Sequence, residues 1–538
     1  MNSTYDTKAN LLIAMQILDL STFSSTLSDI GTDITMFIDS EGYNIFHDLA
    51  NSNIPESKVM DFQLEIENCV KENFGDENFD KEVEKMLNAQ DFKEKNTPLH
   101  FAIRKKRSKL CARFLQLRAD IFMKNAQGHG VVHLAAQSGM IQFIMNAVVN
   151  FKMRFNEPDI YGRTPMHLAA ENSHEFVVAL LLSLGQNVNV KDNKGNTALH
   201  LAATSQSYTV SRVLIMNYAD RNITNKTGHT ALDIANHYNA VELYKILKKP
   251  FPLKKLNPFG TSLEPSRYNY KAFILYIAAL FVRYILWFIY MRDISVSFDI
   301  VSGVIFIFTF ILFSMVHYFD PGYIKPKPGQ DLIKLYENYH PEYVCPFCKV
   351  KKSQSARHCQ HCGKCVKKYD HHCPWIRNCV GKKNFVLFYT FIVFCTIDFL
   401  YQFSVCLAIF ALNENGEANI LDLDDYANMR DACIVNWVFS LIGLVLSTPV
   451  LYIQSLNIIQ GRTTRERFGF KTAARLSEIQ TEDPRYTMTL SDAAAESLLM
   501  PDLDRRTPNY KDVKEENKLC CFSFEREGTS LVKLNETN

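Results

Sequence analysis

Four apolar runs dominate the second half of the chain, at about residues 271–291, 298–319, 385–411 and 433–457. Each is long enough to cross a bilayer as a helix. Strongly polar segments separate them, so they read as spans rather than as core helices. The first half has a different rhythm. The anchors N96-T-P-L-H100-F-A102, G128-H-G-V-V-H133-L-A-A136, G162-R-T-P-M-H167-L-A-A170, G195-N-T-A-L-H200-L-A-A203 and G228-H-T-A-L-D233-I-A235 recur every 33 or 34 residues. A degenerate copy, G42-Y-N-I-F-H47-D-L-A50, precedes them at a step of 53 residues from His47 to His100, which predicts an insertion around residues 51–90. Each unit predicts a turn and two antiparallel helices that bury their apolar faces only by stacking. The glycine supplies the turn backbone, and the His or Thr ties the turn to the helix start. These histidines are therefore expected to be structural.

The period and the T-P-L-H-x-A core resemble ankyrin repeats. The resemblance implies a solenoid with a concave face for protein partners. Residues 251–270 are Pro-rich, basic and without periodicity, and read as a linker. The stretch Asn10–Leu20 is short and carries Asp19, which argues against a cleaved leader. The domain expectation is a solenoid at 1–250, the linker at 251–270, spans one and two at 271–319, a cysteine-rich module at 320–384, spans three and four at 385–457 around a loop at 412–432, and a tail at 458–538. The fold class expected is all-α, with a four-helix transmembrane bundle interrupted by the cysteine-rich module.

Charge sets the orientation. Glu342–Lys383 holds ten Lys/Arg and two acidic residues, whereas the loop 413–431 holds Glu414, Glu417, Asp422, Asp424, Asp425 and Asp431. The positive-inside rule places the cysteine-rich segment in the cytosol and the acidic loop on the lumenal side. Four spans then leave the repeats, the module and both termini cytosolic. Net charge is +2, so no polyelectrolyte partner such as nucleic acid is implied.

Of 14 cysteines, seven lie within residues 345–379, together with four histidines. The run is C345-x2-C348-x9-H358-C359-x2-C362-x2-C365-x4-D370-H371-H372-C373-P374-W375, then C379. Clustered C-x2-C pairs with histidines mark zinc in a reducing compartment rather than disulfides. Two tetrahedral sites need eight ligands. The spacing assigns Cys345, Cys348, His358 and Cys365 to one, and Cys359, Cys362, His372 and Cys379 to the other. Asp370, His371, Cys373 and His361 remain. A thiol, an imidazole and a carboxylate within four residues form a set for nucleophilic catalysis. Ligation of His372 would turn His371 and Cys373 onto a common face.

D370-H-H-C373-P-W with its preceding cysteines resembles the DHHC protein S-acyltransferases. D320-P-G322, N378-C379-V-G381-x-x-N384 and T463-T-R-E466 lie where that family has comparable motifs, and the solenoid points to its ankyrin-repeat branch. The resemblance implies a protein-cysteine S-palmitoyltransferase, with Cys373 acylated by a long-chain acyl-CoA and then deacylated by a substrate cysteine. His371 would be the base, Asp370 its orienting carboxylate, His372 a ligand of structural zinc. It also implies an endomembrane location, Golgi or ER, and membrane-proximal cysteines as acceptors. Arg377 departs from the small polar or acidic residue more usual there, and four spans depart from the six of several ankyrin-branch relatives.

Lys351, Lys352, Arg357, Lys364, Lys367, Lys368, Lys382 and Lys383 suit either coenzyme A phosphates or anionic lipid headgroups. Cys520 and Cys521, beside Phe522 and Phe524, are either ordinary thiols or acylation acceptors that anchor the tail. Arg283 and Asp398 lie at similar depth in spans one and three. An unpaired charge there costs about 2.5–3.5 kcal/mol on insertion scales. Either the two pair across the bundle, closing the far end of an acyl cavity, or Asp398 is protonated and bonded locally. Two other functions are compatible with parts of the chain. A membrane-anchored ankyrin scaffold would leave Cys373 dispensable, and an ankyrin-bearing cation channel would need a pore loop that the sequence lacks.

Overall fold

A computed structural model describes residues 2–35, 38–248, 271–290, 296–414, 423–464 and 467. The linker 251–270, the tip of the acidic loop, Glu466, Cys520 and Cys521 lie outside these residues. Two helices, α1 (Asn2–Ile17) and α2 (Leu20–Ile30), precede the repeats. Asp19 caps α2, accepting from the backbone N–H groups of Ser21 and Thr22 at 3.1 and 3.2 Å. Their apolar residues Leu11, Met15, Phe23 and Leu27 join the core of the repeats, an extension the repeat pattern does not announce.

Six helix pairs follow: α3 (Ile45–Asn51) with α4 (Glu56–Leu87), α5 (Pro98–Arg104) with α6 (Ser108–Gln116), α7 (Val131–Ser138) with α8 (Ile141–Val149), α9 (Pro165–Glu171) with α10 (Glu175–Ser183), α11 (Ala198–Thr204) with α12 (Tyr208–Met216), and α13 (Ala231–His237) with α14 (Val241–Leu247). The 53-residue step has a simple cause: α4 runs 32 residues and bends at Gly75. The repeat histidines are buried and structural. The backbone N–H groups of Thr97, Thr164 and Thr197 each donate to the histidine three residues on, at 3.1 Å. The other ring nitrogen reaches the next repeat, as from His47 to the Asn96 carbonyl at 3.1 Å and from His200 to the His229 carbonyl at 3.2 Å. Burial lowers the His47 and His100 pKa values to about 4, so the rings are neutral. Neighbouring turns are tied by single backbone bonds, such as Asn193 N–H to the Tyr161 carbonyl at 2.9 Å. Gly162 holds φ +75° at such a turn, where a Cβ would meet the Asn193 backbone N at 2.8 Å.

Three helices are long and apolar enough to cross a membrane among the described residues, at Ile300–Tyr318, Phe385–Ala411 and Arg430–Gln460. They belong to α16 (Val296–Tyr318), α18 (Phe385–Glu414) and α19 (Leu423–Gln460). A further apolar helix, α15 (Lys271–Tyr290), packs on α19, while α16 packs on α18 and α18 on α19. The helix α19 starts ten residues before the expected 433 and takes in part of the acidic segment.

A short helix, α17 (Leu332–Asn338), lies between α16 and the cysteine-rich segment. Leu332, Leu335, Tyr336 and Val344 enter the core of the repeats. Gln142 on α8 donates to the Tyr336 carbonyl at 2.9 Å, and Phe176 on α10 meets the His340 ring edge-on. The module thus rests on the second, outer helices of two repeats.

The module itself corrects the all-α expectation. It consists of three antiparallel hairpins: β1 (Val344–Cys345) with β2 (Val350–Lys351), β3 (Arg357–Cys359) with β4 (Lys364–Val366), and β5 (His371–Cys373) with β6 (Asn378–Val380). The two residues between Cys345 and Cys348, and between Cys359 and Cys362, leave room for a tight turn and not for a helix.

Leu335→Asp should detach α17, because it places a charge where Leu335 is 3% exposed. The expected penalty is about 2–5 kcal/mol, the range of severe core changes. Hydrogen exchange in α8 and α10 of the full chain should then accelerate. Unchanged exchange there would mean that the repeats hold no contact with α17.

Candidate active site and zinc centres

The three hairpins share one register. Cys345 pairs with Val350, Cys359 with Lys364 and Cys373 with Asn378, in each case five residues on. The fourth residue after each cysteine is left-handed: Lys349 at φ 53°, Gly363 at 64° and Arg377 at 51°. Arg377 is the bulky member of this set. Its position demands a positive φ, which costs a bulky residue roughly 1 kcal/mol relative to glycine. The third residue after each cysteine is Cys348, Cys362 and Ile376. Cys373 thus occupies a zinc-knuckle position whose usual second ligand is an isoleucine.

The eight expected ligands gather into two quartets, Cys345/Cys348/His358/Cys365 and Cys359/Cys362/His372/Cys379. Within each, the ligand atoms lie within 4.8 Å of one another. The His358 Nδ1 stands 3.6, 3.1 and 4.0 Å from the sulfurs of Cys345, Cys348 and Cys365. The His372 Nδ1 stands 3.7, 3.4 and 3.6 Å from those of Cys359, Cys362 and Cys379. Tetrahedral zinc with bonds of about 2.0–2.3 Å separates its ligands by roughly 3.3–3.8 Å, so the quartets fit the ion. Their electrostatics agree. Hydrogen bonds from Cys359 and Cys379 draw the Cys362 thiol well down, while the hydrogen bond to Cys362 pushes Cys359 up to about 12. One thiolate resists the next, and a divalent cation removes that resistance. His361 stacks on His372 at 4.6 Å.

Strand alternation turns His372 toward zinc and leaves His371 with Cys373. The Asp370 carboxylate is buried and accepts four bonds. The donors are His371 Nδ1 at 2.8 Å, Thr464 Oγ1 at 2.9 Å, Gln454 Nε2 at 3.1 Å and the Thr464 backbone N–H. With Nδ1 committed to Asp370, Nε2 is the nitrogen left for the Cys373 sulfur, with which His371 also bonds. Burial would lower the His371 pKa, but Asp370 and Cys373 together raise it to about 10. Burial works against Asp370 as well, and the His371 bond overrides it and lowers its pKa.

Other contacts fix the hairpin to the membrane helices. Asn378 Nδ2 lies 2.9–3.1 Å from the carbonyls of Val316, His317 and Phe319, ending α16. Asn384 starts α18, accepting from Gly381 N–H at 2.9 Å and donating to the Cys379 carbonyl at 2.8 Å. A Cβ at Gly381 would meet the Pro321 carbonyl at 2.6 Å. Asp320 accepts from the Gly322 and Tyr323 N–H groups at 2.9 and 2.8 Å and pairs with Lys383 at 2.9 Å. Around Cys373 stands an apolar wall of Leu312, Phe313, Val316, Ile376, Phe388 and Phe391. Lys351, Lys364, Lys367, Lys368, Lys382 and Lys383 are exposed, while Lys352 and Arg357 are half-buried.

Residues 338–471 match the family described as DHHC palmitoyltransferase, and residues 99–192 and 181–235 match ankyrin repeats. The chain carries a DHHC module and ankyrin repeats. It is 30% identical over 183 residues to Palmitoyltransferase ZDHHC8 of Drosophila melanogaster, covering 31% of this chain and 18% of that protein. It is 32% identical over 174 residues to Palmitoyltransferase ZDHHC18-B of Danio rerio, covering 27% and 44%. With Palmitoyltransferase ZDHHC14 of Homo sapiens the figures are 35% over 127 residues, 23% and 25%. The chain spans less than half the length of these relatives. The DHHC match runs past α19 and so includes Gln454, Asn457 and Thr464, whose part in holding Asp370 the motif spacing does not disclose. The polar Gln454 and Asn457 within an apolar span are the local signal of it.

The Asp370–His371 pair defines a pH window. The stability it adds is present above the ordinary carboxylate pKa and is lost as pH falls through the lowered Asp370 value. On the alkaline side it is full below the ordinary imidazole pKa of 6.5 and is lost as pH rises through about 10. Asp370→Asn should flatten both limbs, as read by hydrogen exchange across residues 370–380. A wild-type profile that is already flat would contradict the ion pair.

Proposed function

We propose that the chain is a membrane-embedded protein S-acyltransferase that moves a long-chain acyl group, palmitoyl by family resemblance, from acyl-CoA to protein cysteines through acyl-Cys373. The observation that carries this reading is His371 bridging Asp370 and Cys373 after eight neighbouring ligands are committed elsewhere. An imidazolium beside the sulfur stabilises the charge with which it attacks the thioester carbonyl. Coenzyme A leaves as its thiolate and takes the proton from His371. His371 then accepts the proton of the acceptor cysteine, whose sulfur attacks acyl-Cys373 and releases it. Two structural zinc ions, when bound, neutralise the thiolates and brace the hairpins. The acyl chain would lie along the apolar wall, where each buried methylene is worth about 0.8 kcal/mol. The exposed lysines meet coenzyme A phosphates or lipid headgroups, and the inner helices of the repeats recruit protein acceptors.

In this reading α15 joins the three candidate spans as a fourth, with the repeats, the module and both termini cytosolic, on an endomembrane such as Golgi or ER. Arg283 and Asp398 are both nearly fully buried and form an ion pair, with the Tyr284 hydroxyl donating to Asp398 at 2.6 Å. That pairing supports a polar floor to the acyl cavity.

Labelling with an alkyne fatty acyl-CoA should give a hydroxylamine-labile adduct in wild type and none in Cys373→Ser. Equal label in the two would leave an ankyrin scaffold as the better reading. For the floor, Asp398→Arg and Arg283→Asp singly should reduce labelling, and the double exchange should restore it at least tenfold over either. A double variant no better than the singles would remove the pair from the account.

A further inference from the structure

We infer that Cys406 and Cys433 form a disulfide that staples α18 to α19 at the end of the bundle away from the zinc module. The two helices run antiparallel and in register. Tyr389 Oη meets Ser455 Oγ at 3.2 Å, and farther along Asn436 Nδ2 donates to Gln402 Oε1 at 3.1 Å. The same Asn436 amide reaches the Cys406 sulfur at 3.4 Å. One further step brings Cys433 opposite Cys406. Both cysteines are fully buried free thiols in this structure, share a cluster with Val405, with Tyr401, Ile409, Phe410 and Trp437 around it, and are hydrogen-bonded to each other.

Depth matters as much as contact. Cys406 lies five residues before the end of the apolar stretch Phe385–Ala411, and Cys433 three residues after the start of Arg430–Gln460. At 1.5 Å per residue both are about 5–8 Å inside the far boundary. On the topology proposed above, on which this inference rests, that boundary faces an oxidising lumen. Oxidation can occur during insertion, before Trp437 and Phe410 close over the sulfurs. The step is an exchange with a disulfide donor of that compartment, a protein disulfide or glutathione disulfide. The Cys406–Cys433 S–S bond forms, the donor S–S bond breaks, and both protons and both electrons pass to the donor as two thiols.

The bond would act on the active site through the helices it joins. The helix α18 leaves directly from the hairpin of Cys373, and α19 ends in the residues that hold Asp370. Pinning their far ends fixes the angle at which the two near ends meet.

The test uses the full chain in its native membranes. Thiols are blocked with N-ethylmaleimide in denaturant with a chelator, and then phosphine reduction is followed by a second, mass-tagged maleimide. The second tag should appear on Cys406 and Cys433 together, and Cys406→Ser should abolish it on Cys433. Both cysteines taking the first reagent in full would overturn the disulfide. A glycosylation acceptor inserted at residues 415–422 reports the topology separately. A glycosylated loop with fully blocked thiols rejects the disulfide alone, whereas an unglycosylated loop with blocked thiols rejects the topology beneath it.

Discussion

A carboxylate cannot remain charged in an apolar environment unless its oxygens are satisfied. Asp370 meets that requirement with donors from distant parts of the chain. His371 is its neighbour, Gln454 comes from the last membrane helix, and Thr464 lies beyond that helix. Asn457 supports the arrangement by donating to both Gln454 and Thr464, at 3.2 and 2.7 Å. The hairpin that bears Cys373 is therefore held on one side by zinc ligands and on the other by the end of α19. The His371 charge state follows from this clamp, because a fully bonded Asp370 stays anionic and keeps the imidazole protonated. Geometry and charge beside Cys373 thus depend on one buried group.

What the sequence discloses divides along sequence distance. The repeat period, the ligand quartets and the Asp370-His371-Cys373 set involve residues close together, and spacing alone places them. The capping role of the repeat histidines is equally local, since each bonds a residue three positions back. The contacts that spacing leaves open are long-range. Thr464 reaches Asp370 across 94 residues, and Gln142 reaches Tyr336 across 194. The helices α1 and α2 lack the repeat signature, so their apolar faces give no sign of where they pack. At Arg377 the constraint is a backbone angle, which an arginine does not report and a glycine would.

The pairing of Arg283 with Asp398 is an intermediate case. Depth could be counted from the sequence, and the cost of a lone charge at that depth left two alternatives, pairing with Arg283 or a protonated Asp398 bonded locally. Tyr284 could not be anticipated, being one aromatic among many in an apolar helix. Its hydroxyl and Arg283 share the two carboxylate oxygens of Asp398. Gln402 extends this polar layer by donating to Ser302 at 3.2 Å and accepting from Asn436. Directed bonds join these apolar helices and set register where apolar packing alone would allow sliding.

The shared register of the three hairpins suggests why Cys373 sits where it does. A knuckle turn presents its first cysteine on a rigid strand end, held by ladder bonds to the partner strand. In the first two hairpins the cysteine three residues on completes a metal-binding pair. In the third, Ile376 takes that place, buried against the apolar wall, and Cys373 keeps the rigidity of a ligand position without a metal to quench its sulfur. The adjacent residues would hold the zinc instead, His372 on one strand and Cys379 on the other, which are directly paired. The flanking ligands hold the hairpin rigid, and the missing ligand leaves the Cys373 sulfur for His371. Introducing cysteine at Ile376 would restore the metal-binding pair and remove the condition that separates Cys373 from a ligand.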